Sequence, residues 1–316
     1  MDGHDVYQKD LRPSRTVSRQ ARAVAAVLPD LTVSDTMALQ CNHPLVTAVP
    51  ATLEESVLGL LHQKAYEEAG RFAQKRDVLD WGCNDGYGLK ILTSVANRLA
   101  GLDTAEHCVQ AARENVPAIA SDVRLYTGQG VPFECESFDL VVSFQVIEHI
   151  EDCSRYLRDI KSVLRPGGVA LFSTPNRLLR LDPDMKPWNS YHVTEYTPDT
   201  LVEMLAVVFP QTEVYGLHGS PELEAVERSR CARARAAARN EHPGTGHRRI
   251  RVRTKAVLRR VLGKNLTTGL RRLIGERQGP NNSPFPKLDE CFSTRELRYS
   301  RDRLEDALDL FAVCRL

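Results

Sequence analysis

The sequence predicts an α/β fold, a parallel sheet with helices on both faces, and three observations predict it. Short apolar runs alternate with amphipathic stretches from residue 77 onward, a glycine-rich turn joins the first run to the first such stretch, and an acidic residue closes the second run. The lead-in is a helix over residues 53–73, where Leu58, Leu61, His62, Ala65, Tyr66 and Ala69 recur at helical spacing. Strands follow at 77–80, 99–103, 123–126, 138–144, 169–173, 213–217 and 308–314, a seven-stranded sheet. Helices fall between them at 89–96, 105–115, 152–164 and, capped by Thr197-Pro-Asp-Thr200, through Val208. Arg165-Pro-Gly-Gly168 reads as the turn into the fifth strand.

The 316 residues are 42% hydrophobic and 26% charged, the balance of a folded chain rather than a disordered or coiled-coil one. No apolar run approaches the ~20 residues that span a bilayer, and the first thirty residues carry scattered charges, so a soluble, cytoplasmic protein is expected. Eight cysteines form no CxxC pair and are expected to be reduced thiols. The net charge of +1 hides a segregation. Residues 228–277 hold 16 Lys/Arg against only Glu241 and Glu276. Such a block implies an anionic partner, an acidic face elsewhere on the same protein, or a solvated helix pair. Within it Val257, Leu258, Val261 and Leu262 form one apolar stripe opposite arginines, the pattern of a cationic amphipathic helix. The block precedes the last strand and so reads as an insertion.

Val78-Leu-Asp80-Trp-Gly82-Cys-Asn84-Asp-Gly86-Tyr-Gly88 lies where the first strand hands over to the first helix, the place where open α/β sheets bind nucleotide-like ligands. Asp103 ends the second strand, where a carboxylate can accept both ribose hydroxyls of a nucleoside. Asp80 and Asp85 beside the turn disfavour a pyrophosphate and suit a ligand bearing an amine and a sulfonium. A side chain at Gly82 or Gly86 is expected to intrude on the ligand's tail.

These motifs resemble those of the class I S-adenosylmethionine-dependent methyltransferases. Asp80-x-Gly82-x-x-x-Gly86 looks like their first motif, Gly101-Leu-Asp103 their second-strand acid, Ser137-Phe-Asp-Leu-Val141 their fourth-strand run and Leu164-Arg-Pro-Gly-Gly168 their turn into strand five. Asn84 stands where the family usually has its second glycine. The resemblance implies a Rossmann-like sheet binding S-adenosylmethionine through Asp80, Gly82, Asn84, Gly86, Asp103, Thr104, Gln129, Phe144 and Gln145, with His62 and Tyr66 closing over it. It also implies an N-terminal segment and helical cap (1–73), a cofactor-binding core (74–217), a basic helical insertion (218–285) and a C-terminal strand region completing the core (286–316).

Methyl transfer from a sulfonium is an in-line displacement, and a base is needed only for a reluctant nucleophile such as an alcohol. His149, after strand four, and His192, after strand five, qualify by position, with His192 preferred. The Tyr191-His192-Val-Thr-Glu195-Tyr loop, the His62/Tyr66 helix and the Ala307–Arg315 ending resemble the branch of the family associated with glycan and natural-product biosynthesis, which implies a small-molecule or glycan acceptor hydroxyl. No metal is expected in this reading. In a second reading Glu148, His149 and His192 resemble the metal ligands of small-RNA 3′-end 2′-O-methyltransferases, with Gln145 in place of a ligand glutamate. In a third, a non-catalytic fold binds nucleic acid or, peripherally, an anionic membrane through its arginines.

Overall fold

The structure, a computed structural model, describes Pro50, residues 52–241 and residues 291–316. Of the readings above, residues 1–49 and the amphipathic stripe around Val257 lie outside the described residues, as does the insertion from residue 242 to residue 290.

The chain runs α1 (Leu53–Ala73), β1 (Asp77–Trp81), α2 (Tyr87–Leu92), β2 (Arg98–Asp103), α3 (Glu106–Asn115), β3 (Val123–Leu125), β4 (Phe138–Phe144), α4 (Cys153–Val163), β5 (Leu164–Pro175), α5 (Arg177–Arg180), α6 (Pro198–Ala206), β6 (Gln211–His218), α7 (Pro221–Glu241), β7 (Arg298–Ser300) and β8 (Asp309–Arg315). The sheet has eight strands, not seven, in the order β3-β2-β1-β4-β5-β8-β6-β7. Strands β1 to β5 are parallel, and β8 inserts antiparallel between β5 and β6. The extra strand, β7, is a three-residue edge on β6, too short and polar for its sequence to show a period. The expected turn at 165–168 is absorbed into β5 as an irregularity opposite Phe138 and Leu140, with Gly167 at φ +76°.

Both faces of the sheet are covered, which is why its strands read as continuous apolar runs. On one face Leu79, Leu102 and Phe172 pack with Leu157 and Ile160 of α4 and Leu201 and Leu205 of α6. On the other Val78, Leu99, Val142 and Leu171 pack with Ala65, Ala69 and Ala73 of α1, Leu89 of α2 and Val109 of α3. Helix α7 belongs to a third cluster, where Leu223 and Cys231 meet Val57 and Leu61 of α1, Leu179 of α5 and Leu308. Caps fix the helix starts: Thr52 accepts from Glu55 N, Asp152 from Arg155 N, and Thr197 and Thr200 form a reciprocal capping box. No helix among the described residues is long and apolar enough to cross a membrane. The seven cysteines among them are all free thiols.

Candidate active site

The C-terminal ends of β1, β2, β4 and β5 meet at one edge of the sheet, the edge at which such folds bind ligands. At the end of β1 the Asp80 carboxyl is fully buried and accepts from Tyr66 Oη at 3.0 and 3.2 Å. Burial pushes its pKa up to about 7; the bond from Tyr66 opposes the shift and the charge of Asp103 adds to it. Tyr66 rests edge-on against Phe144, ring centres 4.9 Å apart. His62, a turn earlier on α1, keeps part of its surface exposed, but the surrounding protein desolvates its charged form and lowers its pKa to about 4.

The turn after β1 behaves as its residues demand. Asn84 takes φ +46°, which asparagine tolerates better than most residues. Its N–H donates to Asp103 Oδ2 at 2.9 Å, and its own Oδ1 accepts from Asp85 N at 2.8 Å. Asp103 Oδ1 accepts from Ala105 N at 2.9 Å. These bonds orient the Asp103 carboxylate at the end of β2. A Cβ on Gly86 would press on Ala112 of α3 and on Val116 at 3.1–3.3 Å, and one on Gly82 would strike Val146 Cγ2 at 2.4 Å, so the protein itself closes both positions to a side chain. Asp85 is fully buried and accepts from Tyr87 N at 3.3 Å, which makes it part of the turn's own scaffold. Thr104 and Gln129 are exposed, Gln129 between Gly128 and Gly130 on the loop after β3.

The loops after β4 and β5 form the other half of the site. Gln145 adopts φ +56°, and its Nε2 donates to Asp309 Oδ2 at 3.0 Å and, at 3.4 Å, to Ser173 Oγ. Three residues on, the Glu148 carbonyl accepts from both Val193 N and Thr194 N, at 2.7 and 3.1 Å, and this clasp brings His192 to His149. The two rings meet edge to face, centres 4.8 Å apart. His149 Nδ1 lies 2.8 Å from the Tyr191 carbonyl, and His192 Nδ1 lies 2.8 Å from Glu195 Oε1. The His192 side chain is 6% exposed. Glu195 also accepts from Arg180 Nε at 3.0 and 3.1 Å, and Arg180 lies over the Trp188 ring at 4.5 Å. Burial works against the Glu195 charge, yet the bond from His192 and the Arg180 guanidinium hold its pKa below the ordinary value. Glu148 is 1% exposed; Thr174 Oγ1 donates to its Oε2 at 3.0 Å, and burial pushes its pKa up to about 8.

The site therefore includes residues that motif reading did not single out. Glu195 and Arg180 orient His192, and Asp309, buried with its pKa pushed up to about 7, holds Gln145. A lone carboxylate inside the apolar run Leu308-Asp309-Leu310-Phe311 was the available signal for Asp309.

An open α/β sheet with a glycine turn and a strand-end carboxylate at one edge is the architecture of a nucleoside-cofactor fold, and two oriented imidazoles lie at the same edge. Comparison with known proteins makes that class specific. Residues 55–206 match a family described as a methyltransferase domain. A probable S-adenosylmethionine-dependent methyltransferase of Mycolicibacterium smegmatis is 35% identical over 196 residues, 58% of this chain and 76% of that protein. A similarly described protein of Mycobacterium tuberculosis is 33% identical over 167 residues, 52% of this chain and 60% of that one. A solved SAM-dependent methyltransferase of Thermotoga maritima is alike in fold alone, with TM-score 0.50, 11% identity, 82% of this chain and 91% of that chain covered. The chain belongs to the S-adenosylmethionine-dependent methyltransferases.

The residues present fit that cofactor. S-adenosylmethionine carries a ribose diol, an ammonium and a sulfonium, and the edge offers the Asp103 carboxylate and the buried Asp80 carboxyl to them. Tyr87 Oη, buried beside the charges of Asp80 and Asp85, has no hydrogen-bond partner and is suited to a polar ligand group.

Proposed function

We propose that the chain methylates a hydroxyl of a saccharide or glycosylated metabolite. S-adenosylmethionine supplies an electrophilic methyl group, and the protein's task is to align the acceptor oxygen and take up its proton. The observation that carries this reading is the Arg180–Glu195–His192 chain: the ionised Glu195 accepts from Nδ1–H of His192, which fixes the tautomer with its lone pair on Nε2. A buried imidazole held this way suits an alcohol, whose proton needs a base, better than an amine or a thiol. Gln145 is bonded to Asp309 and Ser173, which supports the metabolite acceptor over the RNA reading that asks for a ligand carboxylate there.

The test is transfer of a labelled methyl group to sugars, glycosylated metabolites, RNA oligonucleotides and amines. Hydroxyl methylation of a sugar-bearing acceptor is expected. His192→Ala should lower kcat by ~10²–10⁴-fold with cofactor affinity unchanged. Labelling of amines alone, or full turnover by His192→Ala, would refute the reading.

A further inference from the structure

Helix α1 leaves a corner of the sheet open beside it. Ala65, Ala69 and Ala73 pack α1 onto the central strands. Lys64, Glu68, Arg71 and Phe72, at i, i+4, i+7 and i+8, form the flank of the helix that borders β6, β7 and β8. Along β8, Phe311, Val313 and Arg315 alternate onto the same side of the sheet, and Tyr215 of β6 is paired with Phe311. Between helix and strands lies a cavity of about 460 Å³, within the roughly 300–1,000 Å³ of small-molecule sites. Strands β8, β6 and β7 stand third, fourth and fifth from β1 in the sheet, so at about 4.8 Å per strand the cavity floor is roughly 14–24 Å to the side of the strand that carries Asp80.

The walls are aromatic and the charge is positive. Phe72, Tyr215, Tyr299 and Phe311 line the cavity, the last two with ring centres 4.7 Å apart. Its cations are Lys64, Arg71, Arg298 and Arg315, and its single acid is Glu68. Arg71 is paired with Glu68, and Arg315 with Glu213. Lys64 on the helix and Arg298 on β7 have no acid partner among the described residues. Lys64 is also half-buried, and a partly desolvated ammonium without a counter-charge is relieved by an anion. Tyr299 is enclosed: burial pushes its pKa well above the ordinary value, the charges of Asp309 and Glu68 add to the shift, and its hydroxyl has no hydrogen-bond partner among the described residues. That hydroxyl stays neutral and keeps its hydrogen to donate.

We propose that this cavity binds a small aromatic anion, a flat ring system carrying one carboxylate, sulfonate or phosphate group. Its rings match the aromatic walls, and its charge answers Lys64 and Arg298, with Tyr299 Oη as a further donor. S-adenosylmethionine, net positive through its ammonium and sulfonium, has the wrong sign for this lining, and a neutral saccharide has no charge to offer it. The cavity is therefore a site apart from those of the cofactor and the acceptor, and it does not rest on the hydroxyl-acceptor reading.

The test is a fluorescence titration of the full-length protein, saturated with S-adenosylmethionine, with anilinonaphthalenesulfonate, a fused aromatic ring system bearing one sulfonate. One saturable site per chain is expected. Binding should weaken roughly tenfold or more in Lys64→Gln and in Arg298→Gln, the loss expected for a charge-assisted contact, and for anilinonaphthalene, which lacks the sulfonate. Arg158→Gln, an exposed charge on α4 against the other face of the sheet, should bind the probe as wild type does. Cofactor affinity unchanged in all three variants reports that they fold, and the exposed Arg298 carries the test alone if Lys64→Gln does not. Absence of a saturable site, full probe affinity in Lys64→Gln and Arg298→Gln, equal binding of the uncharged rings, or an equal loss in Arg158→Gln overturns the proposal.

Discussion

Asp80 is a carboxyl that burial keeps partly protonated near neutral pH, and this has a measurable signature. In the unfolded chain it ionises near 3.8, while in the cofactor-free fold it does so near 7. Between those values the folded state holds a proton that the unfolded state has lost, so the Asp80 contribution falls as pH rises through the window and is flat above it. The total is on the order of a few kcal/mol. Asp80→Asn retains an acceptor for Tyr66 Oη but cannot titrate. Urea unfolding at pH 5 and pH 8 should therefore show a smaller loss of stability in the variant than in wild type; equal losses would remove Asp80 as the cause. Asp103 makes the complementary case. It orients the turn through Asn84 N and Ala105 N and closes the strand where the cofactor's ribose is expected, so Asp103→Ala should weaken cofactor binding about 10–100-fold by calorimetry, with unchanged affinity counting against the assignment. Both residues were legible in the sequence because a strand-end acid beside a glycine turn has a fixed place in this fold. Glu195 stood in the quoted loop motif, but its pairing with His192 and Arg180 was not legible, because it depends on a loop folding back onto the Glu148 carbonyl, which no local pattern encodes.

Among the elements, those with a strong period or a cap were readable to within a residue or two: α4 and α6 end one and two residues short of their expected ends. Helix α1 occupies 53–73 and strand β4 occupies 138–144, as their spacing predicts. The parts that were missed lack such a signal. Strand β7 is three residues of polar edge, and α7 was read as the start of a basic block, although Leu223 and Cys231 tie it into the core. The junction of α1 and α2 also escaped the motif reading. Gly88 of α2 lies under the Tyr66 ring, and a Cβ there would sit 2.1–2.6 Å from three of its atoms. The ring cannot yield easily: it is wedged between Phe144 and Tyr87, and its hydroxyl is committed to Asp80. Gly88→Ala should therefore cost about 1–3 kcal/mol and, by displacing Tyr66 from Asp80, weaken cofactor binding as well. A variant as stable as wild type by urea unfolding would show that α1 shifts freely. Asn84→Gly should be nearly neutral, since relief of the positive φ offsets loss of the Oδ1 bond to Asp85 N.

Across the whole molecule the charge segregation resolves in part. Of the arginines in the basic block that α7 carries, Arg228 pairs with Glu224, Arg230 with Glu227, Arg233 with Glu54 and Arg239 with Asp182. Two of these pairs lie within α7 itself, and two reach acids of α1 and of the segment after α5. Helix α7 is thus structural, and a deletion that removed residues 221–280 would take away Leu223 and Cys231 and uncover Val57 and Leu61 of α1 and Leu179 of α5. A deletion confined to residues 243–289, bridged by a short flexible linker, removes none of the described strands and none of the cofactor or imidazole residues. The two should behave oppositely. The short deletion should keep cofactor affinity within about threefold, less than 1 kcal/mol, and lose turnover on the natural acceptor if the basic insertion acts on that side. The long one should melt earlier or fail to fold, because burying a leucine is worth about 2 kcal/mol and an exposed α1 face loses several such contacts. Calorimetry with S-adenosylmethionine and a thermal melt of both proteins decide the matter. Loss of cofactor binding by the short deletion would place the insertion in the cofactor pocket, and a long deletion as stable as wild type would make α7 dispensable to the core.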